Sequence, residues 1–414
     1  MQKLRESYVG FVVARPLPTA IIGRTILKTY EAEGIGATRS YPTKRDYKPH
    51  LFGIGLDIQS LAYQQQDKAV AACATVALWT AFHKTQRLFD SARPTPAAIT
   101  RSANAVRGGA RSMPSRSLTL EQMAEAIRVV GLEPELVDIH PETPLSSLIY
   151  AYVRFGVPVV LLVYLADRGG HAMTVTGYAL ADQAPKVTER LGSVQYLGRH
   201  ITQFFVHDDN IGPFAHLKIV KRPQKYLHPP ESDAAHYFGR APYAMEVAWR
   251  DERNKRQKLL CVPHQAIVPV YPKIRLTFIA LHGWLDKYAS VLEEYGSKLG
   301  LDAKELLWDV RIDSSNAFKA ELRSSPTSLQ PSRILLRPYP RYIWRATIRM
   351  SHRIIVELTA DATEMADAFP FLDALYRDVA VGEQLRRFFS LDEVRKSWSL
   401  VIGSRFVEFL AEGK

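Results

Sequence analysis

An α+β protein is predicted from three observations. Small and apolar residues recur at helical spacing from Val70 to Phe82, β-branched apolar runs follow at Val157 to Tyr164 and Ala172 to Leu180, and strand and helix signals return beyond Leu259. The composition agrees, since 414 residues with 47% hydrophobic and 23% charged types exclude extended disorder and allow two or three domains.

The elements follow in order. Tyr8 to Ala14 reads as a strand, ended by Pro16 and Pro18 because proline supplies no backbone donor. A polar stretch, Thr38 to Pro49, separates it from the buried helix expected at Val70 to Phe82. Ser91 to Leu120 holds Arg93, Arg101, Arg107, Arg111 and Arg116 and no acidic residue, and reads as an irregular basic surface segment. It could attract anionic partners weakly and without specificity, but it lacks the interleaved aromatics that stack on bases. Ser117 or Thr119 could cap a helix from Leu120 to Val130 that stops at Gly131, and a second helix, Pro144 to Phe155, stops at Gly156. Val157 to Tyr164 and Ala172 to Leu180, joined by Asp167-Arg168-Gly169-Gly170, and then Gln203 to His207 read as antiparallel strands in a hairpin or meander.

Lys218 to Ser232, with its basic residues and three prolines, reads as a linker. Beyond it come mixed strand and proline signals at Leu259 to Phe278 and a helix at Leu281 to Leu299. Two strand runs flank Ser351-His352, and helices are expected at Ala366 to Val379 and Gly382 to Phe389. The domains expected are therefore an N-terminal extension with a strand (1–50), a first α+β domain (51–220) and an α+β accessory domain (221–414).

Other classes are excluded. Cys73 and Cys261 are the only cysteines, too few for a disulfide framework or a cysteine zinc cluster, which fits a reducing cytosol. The longest apolar run, Val157 to Ala166, has ten residues, against the roughly 18 needed to cross a bilayer. The N-terminus does not read as a signal peptide, so a cytoplasmic location is expected. A charge of +12 permits loose attraction to anionic surfaces.

Three segments could carry chemistry: Gln66 ahead of Cys73 at an apolar helix, His171 in RGGHAMTVTGY, and Asp208 in FFVHDDNIGPF. A thiol nucleophile needs an imidazole partner and profits from a helix N-terminus. The imidazole must return a proton to the leaving group, while a carboxylate or amide fixes its ring. An upstream side-chain amide can donate to the developing oxyanion. Each residue also has a plainer reading. Cys73, between Ala72 and Ala74, could be a core residue, His171 a strand-end histidine and Asp208 an Asx-turn residue. Cys261-Val-Pro-His264 lacks a second ligand pair for zinc, and Asp361, Glu364 and Asp367 read as a solvated helix face.

In order and context, this set resembles the papain-like cysteine peptidases, and more closely the bacterial branch with the peptidase domains of double-glycine leader-processing transporters. The resemblance rests on glutamine before cysteine, on Gly156-x-Pro158 leading a strand, on Gly170-His171 followed by Gly177-Tyr178, and on Asp208 with Gly212-Pro213. It spans roughly Leu51 to Val220. The chain departs from the pattern at Ala74, where many relatives have glycine, and in having six residues between Gln66 and Cys73 rather than the usual five. Gln65 is the fallback for the oxyanion role.

The resemblance implies a bacterial enzyme with a papain-like domain, in which a helix carrying Cys73 packs on an antiparallel sheet carrying His171. It implies hydrolysis of a peptide or isopeptide bond in a protein or peptide substrate, without metal or organic cofactor. Cys73 would attack, His171 shuttle the proton, Asp208 orient the ring and Gln66 help the oxyanion. A transglutaminase-like acyltransferase and an inactive interaction module are the alternatives. His207, Asp209 and Asn210 compete with Asp208 for the third position. Strand alternation predicts that Asp208 and Asp209 cannot both face one cleft while the strand persists, and Asp208→Asn is expected to be only moderately harmful.

Overall fold

The β-branched runs after Gly156 do more than form a hairpin: with four other strands they close an antiparallel barrel. The computed structural model describes residues 2–17, 20–29, 37–66, 73–103, 118–165, 169–186, 192–221, 243–250, 253–324, 331–351, 353–365 and 368–412. The chain divides into two units. The first comprises Met1–Leu145, Tyr152–Arg190 and His200–Pro272, and the second Ser146–Ala151, Leu191–Arg199 and Lys273–Lys414.

The first unit begins with α1 (Gln2–Ser7) and a hairpin of β1 (Gly10–Ala14) and β2 (Ile22–Leu27). Short strands follow: β3 (Ala37–Ser40), β4 (Arg45–Tyr47), β5 (His50–Leu51), β6 (Ile54–Gly55) and β7 (Ile58–Ser60). Next come α2 (Cys73–Phe89), α3 (Pro96–Ala103), α4 (Leu120–Val129), β8 (Glu133–Asp138) and α5 (Leu145–Val153), the last contributing Ser146–Ala151 to the second unit. The barrel strands are β9 (Val159–Leu165), β10 (Gly169–Ala181), β11 (Ile201–Asp208), β12 (Gly212–Val220), β13 (Ala244–Arg250) and β14 (Arg256–Val270). They pair in that order, and β14 returns to β9, so the barrel proper leaves no open edge. β3 extends β10, and β8 extends β14.

Closure corrects the expected domain boundaries. A division at residue 220 would cut the barrel, because β13 and β14 pair with each other and with β12 and β9. The first unit instead runs to Pro272, and the N-terminal 50 residues lend β3 to its sheet. Pro263 made this segment look broken, yet it sits where the register of β14 against β9 shifts, a place where a missing donor is tolerated. Of the expected linker, residues 222–232 lie outside the described residues.

The basic segment is also less irregular than expected. Pro96 opens α3, and the Thr95 hydroxyl accepts from the Ala98 amide at 3.3 Å, a cap followed by proline in the first helical turn. Arg107, Arg111 and Arg116 lie outside the described residues, as does Ser117. Thr119 caps α4 in a reciprocal pair with Gln122.

In the second unit, β15 (Leu306–Ser314), β16 (Tyr342–Met350), β17 (Arg353–Asp361) and β18 (Phe371–Tyr376) form one antiparallel sheet in that order. Its helices are α6 (Phe278–Tyr295), α7 (Ser315–Ser324), α8 (Pro331–Leu336), α9 (Val379–Ser390), α10 (Asp392–Val401) and α11 (Ser404–Glu412). β18 replaces the helix expected at Ala366 to Val379. Its Phe371 stacks on Phe406 of α11 at 4.9 Å, so pairing with β17 and aromatic packing override the local pattern. Asp361 and Glu364 do not share a helix either: Asp361 closes a turn by accepting from the Thr363 amide, and Asp367 lies outside the described residues. Both units mix helix with antiparallel strand, so the α+β class holds. No helix among the described residues is long and apolar enough to cross a membrane.

Candidate active site

Every residue of helix α2 from Cys73 to Thr85 is buried, as in a helix inside a unit rather than on its surface. Alanines at 74, 77 and 81 let neighbouring backbone approach. The helix is fixed against β10 by Thr174, whose hydroxyl donates to the Ala77 carbonyl at 2.9 Å, and against the strand region before it by Thr80, whose hydroxyl donates to the Ala62 carbonyl. Cys73 is its first described residue, 7% exposed.

His171 lies near the start of β10, opposite Val163 of β9. Gly169 and Gly170 precede it, and a Cβ at either would meet no described atom within 4 Å. The ring makes a hydrogen bond with Cys73. Its Nε2 lies 3.1 Å from Asp208 Oδ2, which leaves Nδ1 for the thiol. Burial opposes charge on the imidazole, but its bonds to Asp208 and Cys73 and the nearby carboxylate charges outweigh that and hold its pKa well above the ordinary value.

Asp208 ends β11, where the register against β12 shifts. Its Oδ1 accepts from the backbone amides of Asn210 at 2.9 Å and Ile211 at 3.2 Å. The Asx turn and the contact with histidine are thus not alternatives, because one carboxylate serves both with different oxygens. Burial would raise its pKa, yet the His171 bond and these amides bring it below the usual carboxylate value.

The opposition of Asp208 and Asp209 holds only while the strand persists, and the strand ends at Asp208. Asp209 Oδ1 lies 3.7 Å from the same His171 Nε2, because β11 stops at Asp208 and the turn that follows no longer alternates. Burial, against the pull of His171 and with the Asp208 charge adding to it, pushes Asp209 up to about 7. Its Oδ1 accepts from Asn210 Nδ2 at 3.0 Å, and its Oδ2 is buried without a hydrogen-bond partner. His207 does face away, edge-on to Phe214 and Tyr63, and burial lowers its pKa to about 3.

Gln66 is brought to this turn, donating from Nε2 to Asn210 Oδ1 at 2.9 Å. Gln65 is committed elsewhere: its side-chain oxygen accepts from the Ile22 amide and its carbonyl from Arg15. Cys261 lies in β14, fully buried, where burial and then the Asp208 charge push its thiol up.

Three chain segments of the first unit therefore meet: Gln66 and Cys73, His171, and Asp208 to Asn210. Asp209 and Asn210 lie beside His171 and Gln66 together with Asp208 rather than instead of it, and the signal for this was the short DDNIG turn itself. Among the described residues, His171, Asp208 and Asp209 could also hold a cation, their ligand atoms lying within 4.8 Å of one another. Nε2 cannot donate to Asp208 and ligate a metal at once, so the two uses exclude each other. No protein-family profile and no curated protein matches the sequence.

Proposed function

We propose that the chain is a thiol hydrolase of the papain-like kind, cleaving a peptide or isopeptide bond. The observation that carries this reading is His171, hydrogen-bonded to Cys73 on one side and through Nε2 to Asp208 on the other. A cysteine beside a protonated imidazole is the setting in which thiols act as nucleophiles. In the reaction, Cys73 Sγ attacks the carbonyl carbon, and His171 gives its proton to the leaving amine. A water, deprotonated by His171, then releases the acyl group and restores the thiol. Asp208 keeps the ring oriented and its charge balanced, and Gln66 donates to the oxyanion.

The test is alkylation of native protein by iodoacetamide, followed by peptide mapping. Cys73 should be labelled at least roughly tenfold faster than Cys261, and His171→Ala should remove that advantage. Preferential labelling of Cys261, or a rate at Cys73 indifferent to His171, would sink the reading. Chelator should leave the rate unchanged, whereas a cation held by His171, Asp208 and Asp209 would make it chelator-sensitive. Product analysis of a cleaved peptide with and without an added amine separates hydrolysis from transfer.

A further inference from the structure

The three side chains Gln66, Asn210 and Asp209 form a hydrogen-bonded row whose direction is dictated from one end. Asp209 Oδ1 accepts from Asn210 Nδ2 at 3.0 Å, and Asn210 Oδ1 accepts from Gln66 Nε2 at 2.9 Å. A carboxyl oxygen that carries no proton can only accept, and Asp209 Oδ1 accepts here, so Asn210 turns its nitrogen toward Asp209 and its oxygen toward Gln66. Gln66 must then present its nitrogen, and its Oε1 is left buried without a hydrogen-bond partner. Leaving a buried carbonyl oxygen unpaired is costly, so an unconstrained Gln66 amide would rotate to satisfy it. Asn210 prevents this, and is itself anchored by its backbone amide to Asp208 Oδ1 at 2.9 Å.

We infer that Asn210 is a positioning residue that ties Gln66 to the Asp208–Asp209 turn and fixes which end of the Gln66 amide is offered to the substrate. This rests on the thiol-hydrolase reading and deepens it. An amide nitrogen carries two hydrogens; Asn210 takes one, and the other remains for the oxyanion. The row also joins the segment before α2 to the β11–β12 turn, so the oxyanion donor and the carboxylate behind His171 are held by one link.

The experiment uses p-nitrophenyl acetate on the full chain. The Cys73 thiolate forms an S–C bond to the acetyl carbon, the C–O bond breaks, and its electron pair leaves on p-nitrophenolate, whose burst gives the acylation rate constant. Iodoacetamide alkylation of Cys73 is measured in parallel, because it needs the thiolate and histidine but no oxyanion donor. Asn210→Ala should slow acylation at saturating ester by roughly ten- to a hundredfold, and leave alkylation within about twofold. Gln66→Ala should do the same, and the double variant should be no slower than Gln66→Ala alone, since both remove one donor.

Normal acylation by Asn210→Ala, multiplicative losses in the double variant, or a parallel fall in alkylation would each overturn the inference. The last would mean that Asn210 only supports the turn beneath Asp208. Wild-type protein that alkylates rapidly at Cys73 but shows no burst would overturn this inference alone. Protein that does neither would overturn the thiol reading and this inference with it.

Discussion

Asp208 uses both carboxylate oxygens, and this decides what can replace it. Oδ1 faces two backbone N–H donors and Oδ2 faces His171 Nε2. An asparagine has one oxygen, which the two amides claim, so its NH2 would face Nε2 and impose the wrong tautomer on the ring. Asp208→Asn is therefore expected to cost nearly as much as Asp208→Ala, roughly 10³-fold in Cys73 acylation, rather than the moderate loss that the sequence alone suggests. Retention of a tenth or more of wild-type rate in the p-nitrophenyl acetate burst would refute this. Asp209 acts on stability. Its folded pKa, about 7, lies above the ordinary carboxylate value, so the native state binds the extra proton. Its contribution is full below the unfolded value and is lost as pH rises through about 7. Asp209→Asn should thus raise the urea midpoint at pH 8 relative to wild type and change it far less at pH 4. The meeting of Cys73, His171 and Asp208 was legible in the sequence because each stands at an element boundary beside turn residues. The place of Asp209 beside them was not, because it depends on where β11 ends.

Gly156 shows what an element boundary costs when it is filled. It follows α5 with φ of 103°, a backbone conformation that side chains rarely adopt. A Cβ there would lie 2.9 Å from Lys84 Cε and 3.0 Å from the Pro42 carbonyl oxygen. Lys84 Nζ donates to the carbonyls of Pro42 and Lys44, and burial lowers its pKa to about 8. Gly156→Ala must both strain the backbone and displace this buried ammonium, so it should destabilise by roughly 2 to 4 kcal/mol. A urea midpoint unchanged from wild type would show that the loop relaxes freely. Helix ends of this kind could be read from sequence, since Thr119, Gly131 and Gly156 act within a few residues of the helices they bound. Strand partners were harder to read. The runs at Leu259 to Phe278 were visible as strand-like, but nothing local says that Cys261 pairs with both Met245 and Leu165. β18 was missed for the same reason, its partner β17 and its stacking residue Phe406 lying elsewhere in the chain.

At the scale of the whole molecule, the two units are interlaced by the chain rather than strung along it. Before the second unit begins in earnest at Lys273, the chain has already supplied it with Ser146–Ala151 and Leu191–Arg199. These pieces hold fully or nearly fully buried apolar residues, among them Leu148, Ile149, Tyr150, Val194 and Tyr196. Within the second unit, Tyr150 donates to Asp309 and Trp308 donates from its backbone amide to Gln195. One cut therefore cannot free the first unit intact. A chain ending at Pro272 keeps all six barrel strands but loses the partners of those apolar side chains. A chain ending at Val220 also loses β13 and β14, opening β9 and β12 as unpaired edges. The first truncation should retain β-rich circular dichroism while binding a hydrophobic dye more strongly than the full chain. The second should show no cooperative unfolding and should aggregate. If the chain ending at Val220 instead unfolds cooperatively with Cys73 still the faster thiol, barrel closure is dispensable to the site and the boundary belongs at residue 220 after all.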